Sequence, residues 1–190
     1  MRADDSYSRS FLDRRGFLEY GRFNRCSLDL AGRELEPATL PAGVELAWLG
    51  DRPDLLQDLH RVAFATYPEL GGNRARQAED FLEWQVYELG SPNTLLDAVP
   101  IALAGSVAGY ATMRKLLNAS IGELRTVVVL PKWRRQGFAS ALLRAQLARV
   151  RDGGVRRVRA WVRHTQPVEF FLSLGFRVED ASILLRGPLL

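Results

Sequence analysis

The chain has 190 residues and a formal net charge of +4, and its 47% hydrophobic and 25% charged residues indicate a folded globular protein and exclude a disordered one. No run approaches the roughly 18 apolar residues of a membrane helix, and the first residues lack the apolar stretch of a secretory signal, so we predict a cytoplasmic protein. The single cysteine, Cys26, can form neither an internal disulfide nor a metal cluster, and we predict no metal site.

The positive charge is concentrated in one segment. Residues 131–163 contain ten Lys or Arg residues and one acidic residue, Asp152. A basic segment within a nearly balanced protein favours an anionic partner. The alternative is a solvated, arginine-rich surface.

The first 32 residues are predicted to be an extension of the main domain. The run 11–17 ends in Gly-Phe and predicts a short helix, and the residues up to 30 predict two strands, which gives a helix and a hairpin. The run 170–176 near the C terminus has a similar order of apolar residues and also ends in Gly-Phe. Residues 33–42 include Pro37 and Pro41 and are predicted to link the extension to a domain at 43–190.

The main domain is predicted to begin with one strand and two helices. Residues 43–49 predict the strand, and Asp51 is predicted to cap a helix with Pro53 in its first turn. Tyr67-Pro68 is predicted to end that helix. A second amphipathic helix is predicted to bury the side formed by Phe81, Leu82, Val86 and Leu89.

The remainder of the domain predicts further strands and helices. Strands at 95–103, 107–116 and 121–129 are joined by short links, so we expect an antiparallel meander. A helix at 138–151 and an alternating strand at 155–163 follow, and this crossover makes the last two strands parallel neighbours. A short helix at 168–174 and a strand region that begins at Phe176 complete the chain.

The turn between residues 129 and 138 carries the strongest chemical signal. It contains the basic residues Lys132, Arg134 and Arg135, while Gly137 and Ala139 leave room for an anion to approach the main chain. The first N–H groups of the following helix have no intrahelical partner, and the helix dipole adds positive potential there. The turn therefore predicts a phosphate or pyrophosphate site, although it is neither a Walker loop nor a GxGxxG fingerprint.

This turn resembles motif A of the GCN5-related N-acetyltransferase (GNAT) family. The family pattern has Gln or Arg, then two residues, Gly, one residue, and Gly or Ala, and the corresponding residues here are Arg134, Gly137 and Ala139. The family's Val-x-Pro precedes them at 129–131, and the run 174–176 is similar to the Leu-Gly-Phe that ends a short helix in the family. The resemblance implies the GNAT fold, an α/β fold with a mixed, mostly antiparallel sheet flanked by helices and a parallel strand pair that splays at the cofactor site.

The resemblance also implies a function. It implies an enzyme that transfers an acetyl group from acetyl-coenzyme A to a primary amine, an N-acetyltransferase. The main chain near the end of the strand would bind pantetheine, the turn would bind pyrophosphate, and a histidine would line the cleft; these cofactor-binding residues are Val127, Val128, Val129, Arg134, Arg135, Gln136, Gly137, Phe138, Ala139, Ser140 and His164. The alternative is a non-catalytic domain that binds coenzyme A or has a regulatory role.

Glu123 is the candidate catalytic base. It lies on the strand that leads to the turn, where histone-type members of the family have a carboxylate that removes a proton from the amine. The alternative is a solvated Glu in a hairpin. The family's frequent acid is a Tyr, and Phe171 stands in its place, so either no side chain protonates the leaving thiolate or Tyr110, Ser173 or His164 does so.

Residues 1–32 are similar to the C-terminal tail of an upstream domain in a tandem member of the family. The alternative is a chance resemblance in an added helix and hairpin. Their apolar side chains need burial against the main domain or a second chain, so a homodimer is one expected arrangement.

The acceptor amine cannot be identified from the sequence. We expect it to contact residues 66–76 and the second helix, where Glu69, Glu79, Asp80 and Glu83 could attract a cation. A polyamine, an aminoglycoside, an amino acid and a protein amino terminus all remain open. We predict a small-molecule or peptide acceptor, and neither nucleic acid nor a membrane as a partner.

Overall fold

A computed structural model describes residues 2, 4–70, 74–116, 120–163 and 168–187. The protein has an α/β fold in which seven strands belong to one mixed sheet, mostly antiparallel with one parallel pair and flanked by helices. This confirms the predicted fold class. The chain divides into two compact units, Leu30–Val158 and a smaller unit of Met1–Asp29 with Arg159–Leu190. The division into an extension, a linker and a domain at residues 32 and 42 stays a prediction.

The helices and strands follow one another in the order α1, β1, β2, α2, α3, α4, β3, β4, β5, α5, β6, α6 and β7. Their bounds are Ser6–Asp13 (α1), Leu18–Asp29 (β1), Glu45–Trp48 (β2), Leu56–Leu70 (α2), Arg74–Gln77 (α3), Phe81–Leu89 (α4), Pro100–Leu103 (β3), Val107–Lys115 (β4), Ile121–Val129 (β5), Phe138–Asp152 (α5), Arg157–Arg163 (β6), Val168–Ser173 (α6) and Arg177–Arg186 (β7). No helix within the described ranges is long and apolar enough to cross a bilayer.

Strands β3 to β5 form the predicted antiparallel meander in the larger unit, and β2 extends it by pairing with β3. Each pairs with the next along the chain, and Tyr110 of β4 pairs with Val128 of β5. Neighbouring residues of a strand point to opposite faces of a sheet. Val128 accordingly packs in a cluster with residues of α2 and α4, whereas Val129 packs with Phe138 and Leu142 of α5. Helix α5 and the pair α2 and α4 therefore cover opposite faces of this part of the sheet.

The prediction for α2 was wrong at both ends. Arg52, not Asp51, precedes a 3-10 turn at Pro53–Leu55, and α2 continues through Pro68 to Leu70. Proline removes one backbone hydrogen bond and usually ends a helix. Here Tyr67 is fully buried and its hydroxyl donates to Glu88, so tertiary contacts hold the last turn in place.

The predicted buried side of α4 was also partly wrong. Leu82 and Val86 are 66% and 71% exposed, whereas Trp84, Glu88 and Leu89 are buried. Trp84 provides the largest apolar surface on this helix. Glu88 can be buried because its carboxylate accepts hydrogen bonds from Tyr67 and Thr112, which offset the cost of desolvation. A pattern of apolar residues assigns a glutamate to the exposed side and cannot detect this arrangement.

Within residues 43–163, the strand predictions were close to the structure with one exception. Strand β5 has the predicted bounds, and β6 buries Val158, Ala160 and Val162 as its alternation indicated. The region predicted as a strand from residue 95 begins instead with a 3-10 turn at Leu96–Ala98, which leaves only four residues in β3. Residues 117–119 of the link predicted between the strands 107–116 and 121–129, and residues 71–73 of the segment expected to contact the acceptor, lie outside the described residues.

In the smaller unit, the hairpin predicted within residues 1–32 was wrong. Residues Leu18–Asp29 form one continuous strand of 12 residues, β1, which pairs with β7 in antiparallel orientation. The register of this pair skips Tyr20, so β1 contains a bulge at that residue. The helix preceding it is present as α1.

Candidate functional site

The turn that resembles motif A joins β5 to α5 and opens to solvent. After a 3-10 turn at Pro131–Trp133, Arg135 adopts φ 61° and Gly137 adopts φ 85°. Gly137 occupies the cap position of α5 without a side-chain cap, and a Cβ added there would meet no atom within 4 Å. The first N–H groups of a helix lack intrahelical partners and carry positive potential. The turn therefore presents main-chain donors that a side chain at Gly137 would obstruct.

Arg134 stabilises this turn through two side-chain hydrogen bonds. Its Nε donates to the carbonyl oxygen of Val129 (3.0 Å), and its Nη1 donates to the carboxylate of Glu69 (2.6 Å). Glu69 was predicted only as a residue that attracts the acceptor. The contact shows that an anion can reach this guanidinium. The two residues are 65 positions apart, so their pairing gave no signal in the sequence.

The end of β5 is held closely against β4. Val128 and Val129 are buried, Val127 is half-buried, and Val129 pairs with Gly109. A Cβ added to Gly109 would lie 2.5 Å from the carbonyl oxygen of Val128, which is too close for any other residue at this spacing. Gly109 therefore fixes the position of the predicted pantetheine-binding main chain, and sequence reasoning missed it.

Glu123 lies on β5 opposite Arg114 of β4. The Nε and Nη2 atoms of Arg114 donate to Oε1 of Glu123 at 3.1 and 2.7 Å, and the Glu123 side chain is 13% exposed. Cross-strand partners point to the same face, and alternate β4 residues Arg114, Thr112 and Tyr110 share one face. Glu123 therefore lies on the sheet face that α2 and α4 cover.

A buried polar network occupies that face. The Tyr67 hydroxyl donates to Oε2 of Glu88 (2.8 Å) and lies 3.0 Å from the Tyr110 hydroxyl, and Thr112 donates to Oε1 of Glu88. Burial, reinforced by neighbouring groups that include Glu88, raises the pKa of Tyr67 and that of Tyr110 well above the usual range. Tyr110 is fully buried, so it is poorly placed to protonate a leaving thiolate.

Arg74 of α3 connects the helices of this face to β5. It donates to the hydroxyl of Thr126 (2.7 Å) and to the carbonyl oxygen of Arg125 (2.9 Å), and its guanidinium lies 5.5 Å from the centre of the Tyr67 ring. No local sequence pattern indicates these contacts, which span about fifty residues.

Two further candidates, Phe171 and Ser173, lie in the smaller unit. Phe171 is buried and its ring packs edge-on against Phe170 and Phe176, at 5.2 and 5.6 Å between ring centres. Ser173 is exposed and donates to the carbonyl oxygen of Phe170 (2.8 Å). His164 lies outside the described residues.

Known proteins resemble this chain in sequence. The model of the Acetyltransferase (GNAT) family matches residues 56–176, more than half of the chain. A mycothiol acetyltransferase from Nocardiopsis dassonvillei is 28% identical over 135 residues, which are 66% of this chain and 39% of that protein.

Solved structures resemble it in fold. A GCN5-related N-acetyltransferase from Sphaerobacter thermophilus gives a TM-score of 0.74 at 20% identity and covers 97% of this chain. A tandem GNAT protein from the clavulanic acid biosynthesis pathway gives 0.69 at 18% identity and covers 98%. A Brucella melitensis GNAT acetyltransferase in complex with acetyl-CoA gives 0.57 at 21% identity, and the match covers 76% of this chain and 89% of that one.

The chain covers less than two thirds of the length of three of these relatives. It spans 39% of the mycothiol acetyltransferase, 57% of the Sphaerobacter protein and 61% of the tandem protein. At these identities the solved structures show the fold alone. The family match, which includes the turn at Gly137, shows more than the fold: the chain belongs to the acetyltransferase (GNAT) family.

Proposed function

We propose that this chain binds acetyl-coenzyme A and transfers the acetyl group to the nitrogen of a primary amine. The turn at Gly137 carries the proposal. It combines a left-handed glycine, open space where a side chain would stand and the N-terminus of a 15-residue helix, in a chain of the acetyltransferase family. A pyrophosphate fits such main-chain donors, and a family member of known structure holds acetyl-CoA.

The residues of the turn and of β5 would divide the binding of this donor between them. Arg134, Arg135, Gln136 and the residues 137–140 would hold the pyrophosphate, and the main chain of 127–129 would hold the pantetheine arm. The carboxylate of Glu69 on Arg134 supports an anion-binding role for that guanidinium. Acetyl-coenzyme A would supply the acetyl group as a thioester. His164 is retained as a further contact.

Glu123 is our candidate for the group that accepts the proton of the attacking amine. As the amine nitrogen bonds to the acetyl carbon it must lose a proton, and a positioned carboxylate contributes roughly 10²–10⁴-fold to such a step. The ion pair with Arg114 fixes the orientation of this carboxylate on β5. Neither Phe171 nor the buried Tyr110 is suited to protonate the thiolate, so we propose that the thiolate leaves without a side-chain acid or is protonated by Ser173 or His164.

The acceptor is proposed to be a cationic amine. Glu69, Glu79, Asp80 and Glu83 lie between the end of α2 and the first turn of α4, and each is exposed. Asp80 also caps α4 by accepting the N–H of Glu83 (2.8 Å). The name of the 28% identical relative points to an acceptor related to mycothiol, beside the polyamines, aminoglycosides, amino acids and protein amino termini that also remain open.

A screen of these amines with acetyl-coenzyme A tests the proposal. Free thiol release, together with a mass increase of one acetyl group on the amine, is the expected result for at least one class. Calorimetric titration of coenzyme A is run in parallel. Binding without turnover on any amine would favour the alternative, a non-catalytic coenzyme-A-binding domain, and the absence of both would refute the assignment of the turn.

A further inference from the structure

Two segments of the smaller unit fold in the same way. In one, α1 leads through Gly16 (φ 75°) and Phe17 into β1, and in the other, α6 leads through Gly175 (φ 85°) and Phe176 into β7. Their turns have the same hydrogen bonds. The three main-chain bonds are Arg15 N to Leu12 O, Gly16 N to Asp13 O and Phe17 N to Leu12 O in the first, and Leu174 N to Phe171 O, Gly175 N to Leu172 O and Phe176 N to Phe171 O in the second.

The pairing of β1 with β7 is symmetric about one point. Gly175 follows Gly16 by 159 positions, and this shift relates each residue of β1 to one of β7. If 159 is added to the β1 number of a pair and subtracted from its β7 number, the result is again an observed pair. The central pair, Phe23 and Ser182, is converted into itself. The pairs that interchange are Leu18↔Arg186 with Ser27↔Arg177, Glu19↔Leu185 with Cys26↔Val178, Gly21↔Leu184 with Arg25↔Asp180, and Arg22↔Ile183 with Asn24↔Ala181.

The two bulges in the pairing of β1 with β7 are related by the same symmetry. The register skips Tyr20 on β1 and Glu179 on β7, and these two residues are also related by 159 positions. Two unrelated strands have no reason to place their bulges at symmetric points. A twofold contact between two copies of one element produces such a register, because each residue then meets its partner's counterpart.

We propose that β1 occupies the place where the β7 strand of a second acetyltransferase domain would pair. The edge of β7 is then a self-complementary surface, and its natural partner is the helix–Gly–Phe–strand element of another domain of this family. In this chain a covalently joined copy of that element, residues 6–29, provides the pairing. A second copy of the chain can do the same when β1 is displaced.

Ion pairs select β1 over a second β7. The guanidinium of Arg25 lies 2.9 Å from Glu179 and 2.6 Å from Asp180, and all three side chains are partly buried. The β7 residue that corresponds to Arg25 is Leu184, so a pair of β7 strands lacks this cation. Opposite charges across a strand pair favour the mixed pair, while both strands keep the same register.

The test changes this selection in the full-length chain. Arg25→Glu adds a third carboxylate beside those of Glu179 and Asp180, and the repulsion should displace β1 from β7. All variants carry Cys26→Ala to remove the native thiol and Ser182→Cys as a reporter at the centre of symmetry. We expect the Arg25→Glu variant to double its mass in light scattering and to form a disulfide between two copies of residue 182, mapped by mass spectrometry.

Three controls make each outcome decisive. Arg22→Glu also reverses a charge on β1, but the side chain of Arg22 forms its ion pair with Glu19 of the same strand and not with β7. This variant should therefore remain monomeric. Combining Arg25→Glu with Glu179→Arg and Asp180→Arg restores opposite charges and should restore the monomer. A separate variant with Ser106→Cys, at an exposed position, measures how many disulfides form by random collision between molecules. If Arg25→Glu is monomeric, or if its soluble or aggregated material links through residue 182 no more than through residue 106, the proposal is wrong.

Discussion

Gly137 shows how much a single residue decides in this molecule. The open space around it was predictable, because a turn between a strand and a helix that lets an anion reach the main chain needs a residue without a side chain. Its left-handed φ of 85° is a finding of the structure. The partners of Arg134 and Thr126 were not predictable. Glu69 and Arg74 reach them from helices 50 or more positions away, and no local pattern encodes such contacts.

Replacing Gly137 with glutamate should abolish coenzyme A binding. The added carboxylate would stand in the phosphate position and repel it. Gly105→Glu is the matched control, because Gly105 also has a positive φ (72°) and open space but lies in the β3–β4 turn. Both variants should lose about 1–2 kcal/mol of stability from the left-handed backbone, and calorimetry should show binding only in the control. Equal affinities in the two variants would remove the turn from the site.

Replacing Glu123 with glutamine should lower kcat by roughly 10²-fold or more with little change in cofactor affinity. The change preserves the shape of the side chain and removes the group that accepts a proton. Arg114→Gln breaks the same ion pair but keeps the carboxylate. A loss of kcat confined to Glu123→Gln supports the base, whereas a similar small effect in both variants would assign the pair a structural role.

At the scale of elements, the buried network joins α2, α4 and β4 through Tyr67, Glu88, Tyr110 and Thr112. The sequence predicted these elements but assigned Leu82 and Val86 wrongly to the buried side of α4. It also missed the burial of Glu88, which depends on hydroxyls from two other elements. Strand β5 was predicted with its correct bounds because its β-branched residues and flanking turns are local signals.

This network should make the fold sensitive to alkali. The folded state raises the pKa of Tyr67 and Tyr110 above that of the unfolded chain, about 10. The contribution of the two protonated tyrosines to the free energy of unfolding is therefore complete below pH 10. It is lost as the pH rises through their pKa values in the folded state. We expect the melting temperature to fall steeply above pH 10 and less steeply in Tyr110→Phe. Tyr7→Phe, at an exposed tyrosine of α1, should follow the wild type. Identical slopes in all three proteins would contradict this account.

At the scale of the whole molecule, the N-terminal residues contribute a strand and not an independent hairpin. The sequence predicted that the apolar residues of 1–32 need burial, and Cys26, Leu28 and Leu30 are indeed buried. It could not predict the partner, because β7 lies about 150 residues away in sequence.

Deleting residues 1–32 should lower the melting temperature or cause aggregation or dimerisation, since it uncovers the edge of β7. Point variants separate this effect from simple truncation. Leu28 is 1% exposed and Leu28→Ala should cost about 2–5 kcal/mol of stability. Leu18, on the same strand, is 73% exposed, and Leu18→Ala should cost little. A truncated protein that is monomeric and as stable as the full chain would show that the segment is dispensable.

The pairing of the first strand with the last also constrains how the chain is made. Ribosomal synthesis adds roughly 5–20 residues per second, so β1 leaves the ribosome on the order of 10–30 s before β7. During that interval Cys26 lacks the strand beside which it ends up buried. The smaller unit can therefore close only after β7 has been synthesised, and a stalled or slowed ribosome prolongs the exposure of an unpaired strand edge.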